Sequence, residues 1–251
     1  MFAHSQDLSS RIEEQEDRLV TYQLTLRGRD GMVLASDQCE NTKPQYGDVR
    51  VKNLLRKVFF SGGFAWAYSG GALGPIFAEY VNRNLVDDNG IISDDDARNI
   101  FENCGKLTYA EYMSTMTGPA GESVAVLACG KSKRIFRATI SSPMTAIEVV
   151  SGPGSPCITG NRYNLAAFVA TRFYSPEMSV EELCSLAAYS IRAASDLEPN
   201  YVDGLDVAVY RDSVGKFEFV DSDTYWRNTA NTDKELRNSF HAVSSSLNSH
   251  T

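Results

Sequence analysis

The stretch TYQLTLRGRDGMVLASDQ, residues 21–38, reads as two strands folded back on each other. Thr21–Arg27 and Met32–Ser36 carry the β-branched and apolar residues of a strand pair, and the RDG between them is turn chemistry. The twenty residues before it differ in character. They are polar, carry the acidic run EEQED, and read as a short surface helix or an arm. Thr21 is therefore either an ordinary strand residue or the first residue of the working protein, and the functional reading turns on which.

A chain of 251 residues, 43% of them hydrophobic, buries a full core as one domain. The formal charge of −8 and a pI near 5.0 argue against a nucleic acid or an anionic membrane as partner. No apolar run reaches the roughly 20 residues needed to span a bilayer, and the start lacks the pattern of a signal peptide. Cys39, Cys104, Cys129, Cys157 and Cys184 are odd in number and widely spaced, which predicts neither a disulfide framework nor a zinc site; a reducing cytoplasm fits. His4, His241 and His250 all fall in the terminal segments. Any catalysis must then run without imidazole, metal binding through histidine is disfavoured, and no metal or cofactor is expected.

Beyond the first hairpin, residues 38–52 read as a polar loop, and KVFF and FAWAYS as a strand pair joined by Gly62-Gly63. GGALGPIFAEYVNRNL leads into a helix, apolar at Leu73, Ile76, Phe77, Tyr80 and Val81. Ser93 caps a second helix with Asp94, Asp95 and Asp96 in its first turn, running to about Met116. Three strands follow, ESVAVLACG, RIFRATI and AIEVVS, and then helices over 157–174 and 179–195, the latter with a Ser179–Glu182 capping box. LDVAVYRD and KFEFVD form a late hairpin, and 223–247 reads as a terminal helix anchored by Tyr225, Trp226, Leu236 and Phe240. Grouped strands and grouped helices predict an α+β layered fold. The divisions are an extension at 1–20, one domain at 21–222, and a C-terminal helix and tail at 223–251. CGKS at 129–132 is not a phosphate loop, because Ala125 stands where that motif needs glycine. Capping alone accounts for SDDDA.

Thr21, Asp37 and Lys57 make a set with a mechanism. A threonine hydroxyl needs a base, and an N-terminal threonine carries one in its own α-amine. That amine, with a pKa of about 7.7–8.0, is partly unprotonated at neutral pH. A buried lysine paired with an aspartate adds positive potential beside the hydroxyl.

These residues, with RKVFF and AYSGGALG, resemble the N-terminal half of a proteasome β-type subunit, and the resemblance extends over about 21–221. TY at the start and the long C-terminal helix are most similar to the bacterial proteasome homologues called Anbu. The resemblance implies a four-layer αββα sandwich of the Ntn-hydrolase class, a threonine protease, and assembly into a ring or helical oligomer. Residue by residue, it implies Thr21 as nucleophile, Asp37 and Lys57 as its electrostatic partners, and Gly70 as oxyanion donor. Lys52 is the rival to Lys57. Asp196 is the implied acidic partner, with Glu198 as the fallback. Phe59, Tyr68, Ala72 and Ile76 are implied to line the main specificity pocket, favouring an apolar residue before the scissile bond. The implied partners are a peptide or unfolded-protein substrate and further copies of the chain, with room for an ATPase unfoldase.

Two departures stand out. Val20 precedes Thr21 where self-cleaving members have glycine, and a β-branched residue resists the contorted backbone of an acyl shift. Pro153, in SGPG, stands where the resemblance expects a serine near the reactive amine. For Val20 a bacterial gene offers a route: a GUG codon there could start translation, with GAGGA from the Glu16-Asp17 codons as ribosome-binding sequence. Any other valine codon excludes it. Residues 1–20 are thus a propeptide, an interface arm or a misplaced start. A structural subunit retaining 1–20, and a small-molecule Ntn amidase, are the rival readings.

Overall fold

The computed structural model describes residues 21–42, 51–71, 73–87, 90–115, 121–141, 145–150, 152, 154–160, 165–199, 202–232 and 234. Strands β1 (Tyr22–Arg27) and β2 (Gly31–Ser36) pair antiparallel from Gln23↔Ser36 to Arg27↔Met32, and Gly28 donates to the Gly31 carbonyl across the turn (2.8 Å). The two-residue period of a strand sorts their side chains. Tyr22, Leu24, Leu26, Val33 and Ala35 pack into a core with helices, whereas Met32 and Leu34 join a core shared with a second sheet.

The first sheet has the order β10 (Cys157–Gly160), β1, β2, β11 (Asp206–Arg211), β12 (Phe217–Phe219). The second runs β5 (Val58–Ser61), β6 (Phe64–Ser69), β7 (Ser123–Cys129), β8 (Arg134–Ile140), β9 (Ala146–Val149). All pairings in both are antiparallel. Helices α1 (Leu73–Asn84) and α2 (Asp94–Thr115) cover the second sheet through Phe77, Val81 and Phe101 against Trp66, Leu127 and Phe136. Helices α3 (Leu165–Phe173) and α4 (Val180–Leu197) cover the first, with Leu183, Ala187 and Ile191 against Leu24, Val33 and Val207. Between the sheets lie Met32, Leu34, Val126, Ile135, Ala208 and Phe217. The result is an αββα sandwich, with the helical run at 222–232 packing Tyr225 and Trp226 onto the α3–α4 side. Leu236 and Phe240 lie outside the described residues.

The capping expectations hold in detail. Ser93 Oγ accepts the Asp96 N–H (3.2 Å), and Arg134 pairs with Asp95 beside that helix start (3.0 Å). Ser179 and Glu182 form the reciprocal capping box of α4. Residues 130–133 are the turn between β7 and β8, with Gly130 N–H bonded to the Gly63 carbonyl (2.8 Å). All five cysteines are buried thiols. No helix among the described residues is long and apolar enough to cross a membrane.

Two expectations are corrected. Residues 38–52 contain part of a small hairpin, β3 (Cys39–Thr42) with β4 (Val51–Leu54), that the polar CENT and VKNL do not announce. Of the expected helix from 157, Leu165–Phe173 is helical. Cys157–Gly160 instead forms edge strand β10, using the β-branched Ile158 and Thr159 to extend the first sheet.

Candidate active site

Thr21 immediately precedes β1 and is 5% exposed. Asp37 immediately follows β2, so the hairpin register brings it beside Tyr22. Asp37 N–H donates to the Tyr22 carbonyl (3.1 Å), and Asp37 Oδ1 accepts the Tyr22 N–H (2.8 Å). Its other oxygen accepts the Cys39 N–H (3.0 Å), so the carboxyl group is locked by backbone on both sides. Lys57 enters from the irregular stretch 55–57 ahead of β5. Its ammonium lies 3.0 Å from Asp37 Oδ2, donates to Thr21 Oγ1 at 3.3 Å, and donates to the Cys39 carbonyl. An ammonium has three donors, and here each has an acceptor.

Both members of this pair are buried. Burial pushes the Asp37 carboxyl above the usual carboxylate range, and the Lys57 charge and the two backbone donors act in the opposite direction. In so dry a setting the Lys57 ammonium favours negative charge developing on Thr21 Oγ1.

Gly70 closes β6 with φ +106°, a conformation suited to glycine; a Cβ there would lie 2.6 Å from the Glu122 carbonyl oxygen. The preceding residue is fixed through Ser123 Oγ–H donating to the Ser69 carbonyl (2.6 Å). Gln23 ties the two sheets together at this end. Its amide donates to the Tyr68 carbonyl on β6 and accepts from Thr159 Oγ1 on β10 (2.8 Å). β1 thus places the polar Gln23 between the sheets, with Ser36 and Thr159 as its cross-strand partners.

The remaining sequence-derived residues divide. Phe59 stacks against Trp66 and Tyr68, with ring centroids 6.4 Å from each. Tyr68 is buried, with Gly74 of α1 close over its ring, and Ile76 packs against the same cluster. Ala72 lies outside the described residues. Lys52 sits on β4 opposite Asn41. Asp196 is not brought to the site: it is largely exposed on α4 and pairs with Arg192 (3.3 Å). Glu198 caps α4 through its backbone N–H to the Ala194 carbonyl (2.8 Å).

The carboxyl group that does join the cluster is Asp206, 4% exposed at the head of β11. Oδ2 accepts the Lys57 backbone N–H (3.1 Å) and Oδ1 accepts from Gln38 Nε2 (2.8 Å). Its signal in the sequence was available: it is the lone acid in LDVAVY, in phase with Ala208 and Tyr210, which face the second sheet.

Of the SGPG stretch, Gly152 lies at the far end of β1 from Thr21, its carbonyl accepting from Arg27 Nη1 (2.7 Å). Pro153 itself lies outside the described residues. The residue facing Thr21 is Gly160, paired with Tyr22 at φ +84°, and a Cβ there would lie 1.7 Å from the Thr21 carbonyl oxygen. Gly160→Ala is therefore expected to cost at least about 2 kcal/mol in urea denaturation, from backbone strain and displacement of Thr21 together.

Two five-stranded antiparallel sheets enclosed by helix pairs make a four-layer αββα sandwich. Solved structures of Anbu proteins share it. Anbu (ancestral beta-subunit) from Yersinia bercovieri matches 88% of this chain and 97% of its own, with TM-score 0.68 and 16% identity. The Gly-1 mutant of Anbu from Hyphomicrobium sp. strain MC1 matches 88% and 96%, with TM-score 0.66 and 15% identity. The helical assembly of the Anbu complex from Pseudomonas aeruginosa gives 88% and 96%, 0.66 and 14%. At these identities the likeness is one of fold. No protein-family model matches the chain, and no curated protein matches it in sequence.

Proposed function

We propose that the protein is a threonine-type peptidase of a self-compartmentalising, proteasome-like assembly, with Thr21 as its N-terminal residue. The observation that carries this reading is the buried Lys57 ammonium held between Thr21 Oγ1 and Asp37. Such an arrangement is costly to build and suits activation of a hydroxyl.

In this mechanism the Thr21 hydroxyl adds to the scissile carbonyl as its proton passes to the α-amine. Lys57 stabilises the developing charge on Oγ1, and the Gly70 N–H stabilises the oxyanion. Collapse breaks the C–N bond, and the ammonium returns its proton to the leaving amine. Water, deprotonated by the same amine, then hydrolyses the ester and restores Thr21. An extended substrate pairs its backbone with strand edges near Thr21 and Gly70. Phe59 and Ile76 favour an apolar residue before the cleaved bond. The helical assembly described for the P. aeruginosa Anbu supports self-association of this chain, as a helix or a ring. Retention of residues 1–20 would instead make the chain a structural subunit.

The test is hydrolysis of fluorogenic peptides by protein whose first residue is Thr21, with long peptides compared against small amides. Because the base is the unprotonated amine, kcat/KM is expected to rise with pH through about 7–8.5, following an amine pKa of about 7.7–8.0. A flat profile over that range, or preference for small amides alone, would count against this reading.

A further inference from the structure

Lys57 is the residue on which the cluster depends, yet its own backbone stands outside both sheets. β5 begins at Val58, and residues 55–57 are irregular. A buried N–H at such a point needs an acceptor that no ladder supplies. Asp206 on β11 of the first sheet provides it, through Oδ2 at 3.1 Å, and is itself held by Gln38 Nε2 on Oδ1 at 2.8 Å. Gln38 is in turn fixed by its backbone. Its N–H donates to the Asp203 carbonyl and its carbonyl accepts from Leu55 N–H, each at 2.8 Å. Asp206 also lies opposite Ser36 in the β2–β11 register, one residue before Asp37. One carboxyl group on β11 thus links Gln38, the residue after Asp37, to the segment that delivers Lys57.

We propose that Asp206 is a positioning residue: by holding the Lys57 amide it sets where the lysine side chain departs, and so where its ammonium meets Thr21 and Asp37. It acts on the hydroxyl only through Lys57. This role rests on the peptidase reading for its kinetic consequence but not for its geometric one.

The chemistry of the two contacts predicts an asymmetry between substitutions. Both Asp206 oxygens accept from N–H donors. In Asp206→Asn, the carbonyl oxygen keeps the Lys57 N–H, while the new Nδ2 faces Gln38, whose amide can turn over to offer its oxygen. Both links survive without the acid. Asp206→Ala leaves the Lys57 N–H without its acceptor and frees the segment.

The experiment compares wild type, Asp206→Asn and Asp206→Ala with a Thr21→Ala control, using two readouts on folded protein. The first is the NMR signal of the Lys57 ammonium in lysine-labelled protein, which burial with three acceptors shields from exchange with water. Expected is a Lys57 signal retained in Asp206→Asn and lost or shifted in Asp206→Ala. The second is steady-state kinetics. Displacement of the ammonium is expected to lower kcat by about 10–100-fold in Asp206→Ala, with KM within about twofold, and to leave Asp206→Asn within about threefold of wild type. If Asp206→Ala does not fold, Gln38→Met is used. It removes the other anchor of the carboxyl group and is expected to shift the Lys57 signal in the same direction.

An unchanged Lys57 signal in Asp206→Ala, or in Gln38→Met where that replaces it, would overturn the proposal. So would Asp206→Asn behaving like Asp206→Ala, since charge rather than placement would then matter. A lowered melting temperature with both readouts unmoved would reduce Asp206 to a structural residue. Wild type and Thr21→Ala equally inactive would defeat the peptidase reading, and the NMR comparison would still decide the role of Asp206.

Discussion

Lys57→Met is expected to lose activity and stability together, and to regain only stability when its partner is also changed. The Lys57–Asp37 pair is 3.0 Å apart with side chains 5% and 0% exposed. Removing one member of such a pair leaves a buried charge uncompensated, at a cost of about 3–5 kcal/mol. Burial already raises the Asp37 carboxyl, and loss of the Lys57 charge, which opposes that, raises it further. The folded variant then binds a proton that the unfolded chain releases at neutral pH. Its stability therefore falls as pH rises, and the deficit against wild type should be smaller at pH 5 than at pH 8 in parallel urea melts. Lys57→Met/Asp37→Asn removes both charges and should recover part of the loss. Activity should not return, because the electrostatic support for Thr21 Oγ1 is gone; such a contribution is worth about 10²–10³ in kcat. A double variant with restored turnover would mean that the pair serves the fold alone.

Thr21→Ala is expected to produce the opposite combination, near-normal stability and no hydrolysis. The hydroxyl accepts one long hydrogen bond from Lys57, so its removal should cost about 0.5–1.5 kcal/mol. Loss of a nucleophile that works as a unit with its base lowers kcat by about 10⁴–10⁶. Thr21→Ser keeps the hydroxyl and should retain measurable turnover. Peptide hydrolysis by Thr21→Ala at the wild-type rate would show that the activity comes from elsewhere.

What could be read from the sequence followed distance along the chain. Asp37 was legible from Thr21 because one hairpin joins them, and the hairpin register fixes the Tyr22–Asp37 contacts without any other part of the fold. Lys57 was harder: a polar hairpin intervenes, and Lys52 and Lys57 both fit the pattern. The sandwich was legible because each strand carries its alternation locally, and the helix starts carry capping chemistry at Ser93 and Ser179. β10 was not, because four residues hold too little periodicity to separate an edge strand from the start of α3.

The acidic partner shows the same limit. Asp196 is close in sequence to a motif-like stretch, but its helical phase points it toward solvent and Arg192. Asp206 carries its phase in the sequence as the lone acid of LDVAVY, but its bond to the Lys57 amide depends on how the segment before β5 meets β11, which only the fold reveals. SGPG looked like the loop near the reactive amine by composition. Gly152 of that stretch lies instead at the Arg27 end of β1.

The central claim is that Thr21 works with a free α-amine, and the most direct test is the intact mass of untagged protein made from the native gene with its own upstream DNA. The account predicts a mass beginning at Thr21, with residues 1–20 absent from the assembled protein. A mass that retains residues before Thr21 would leave the hydroxyl without its base and contradict the peptidase account.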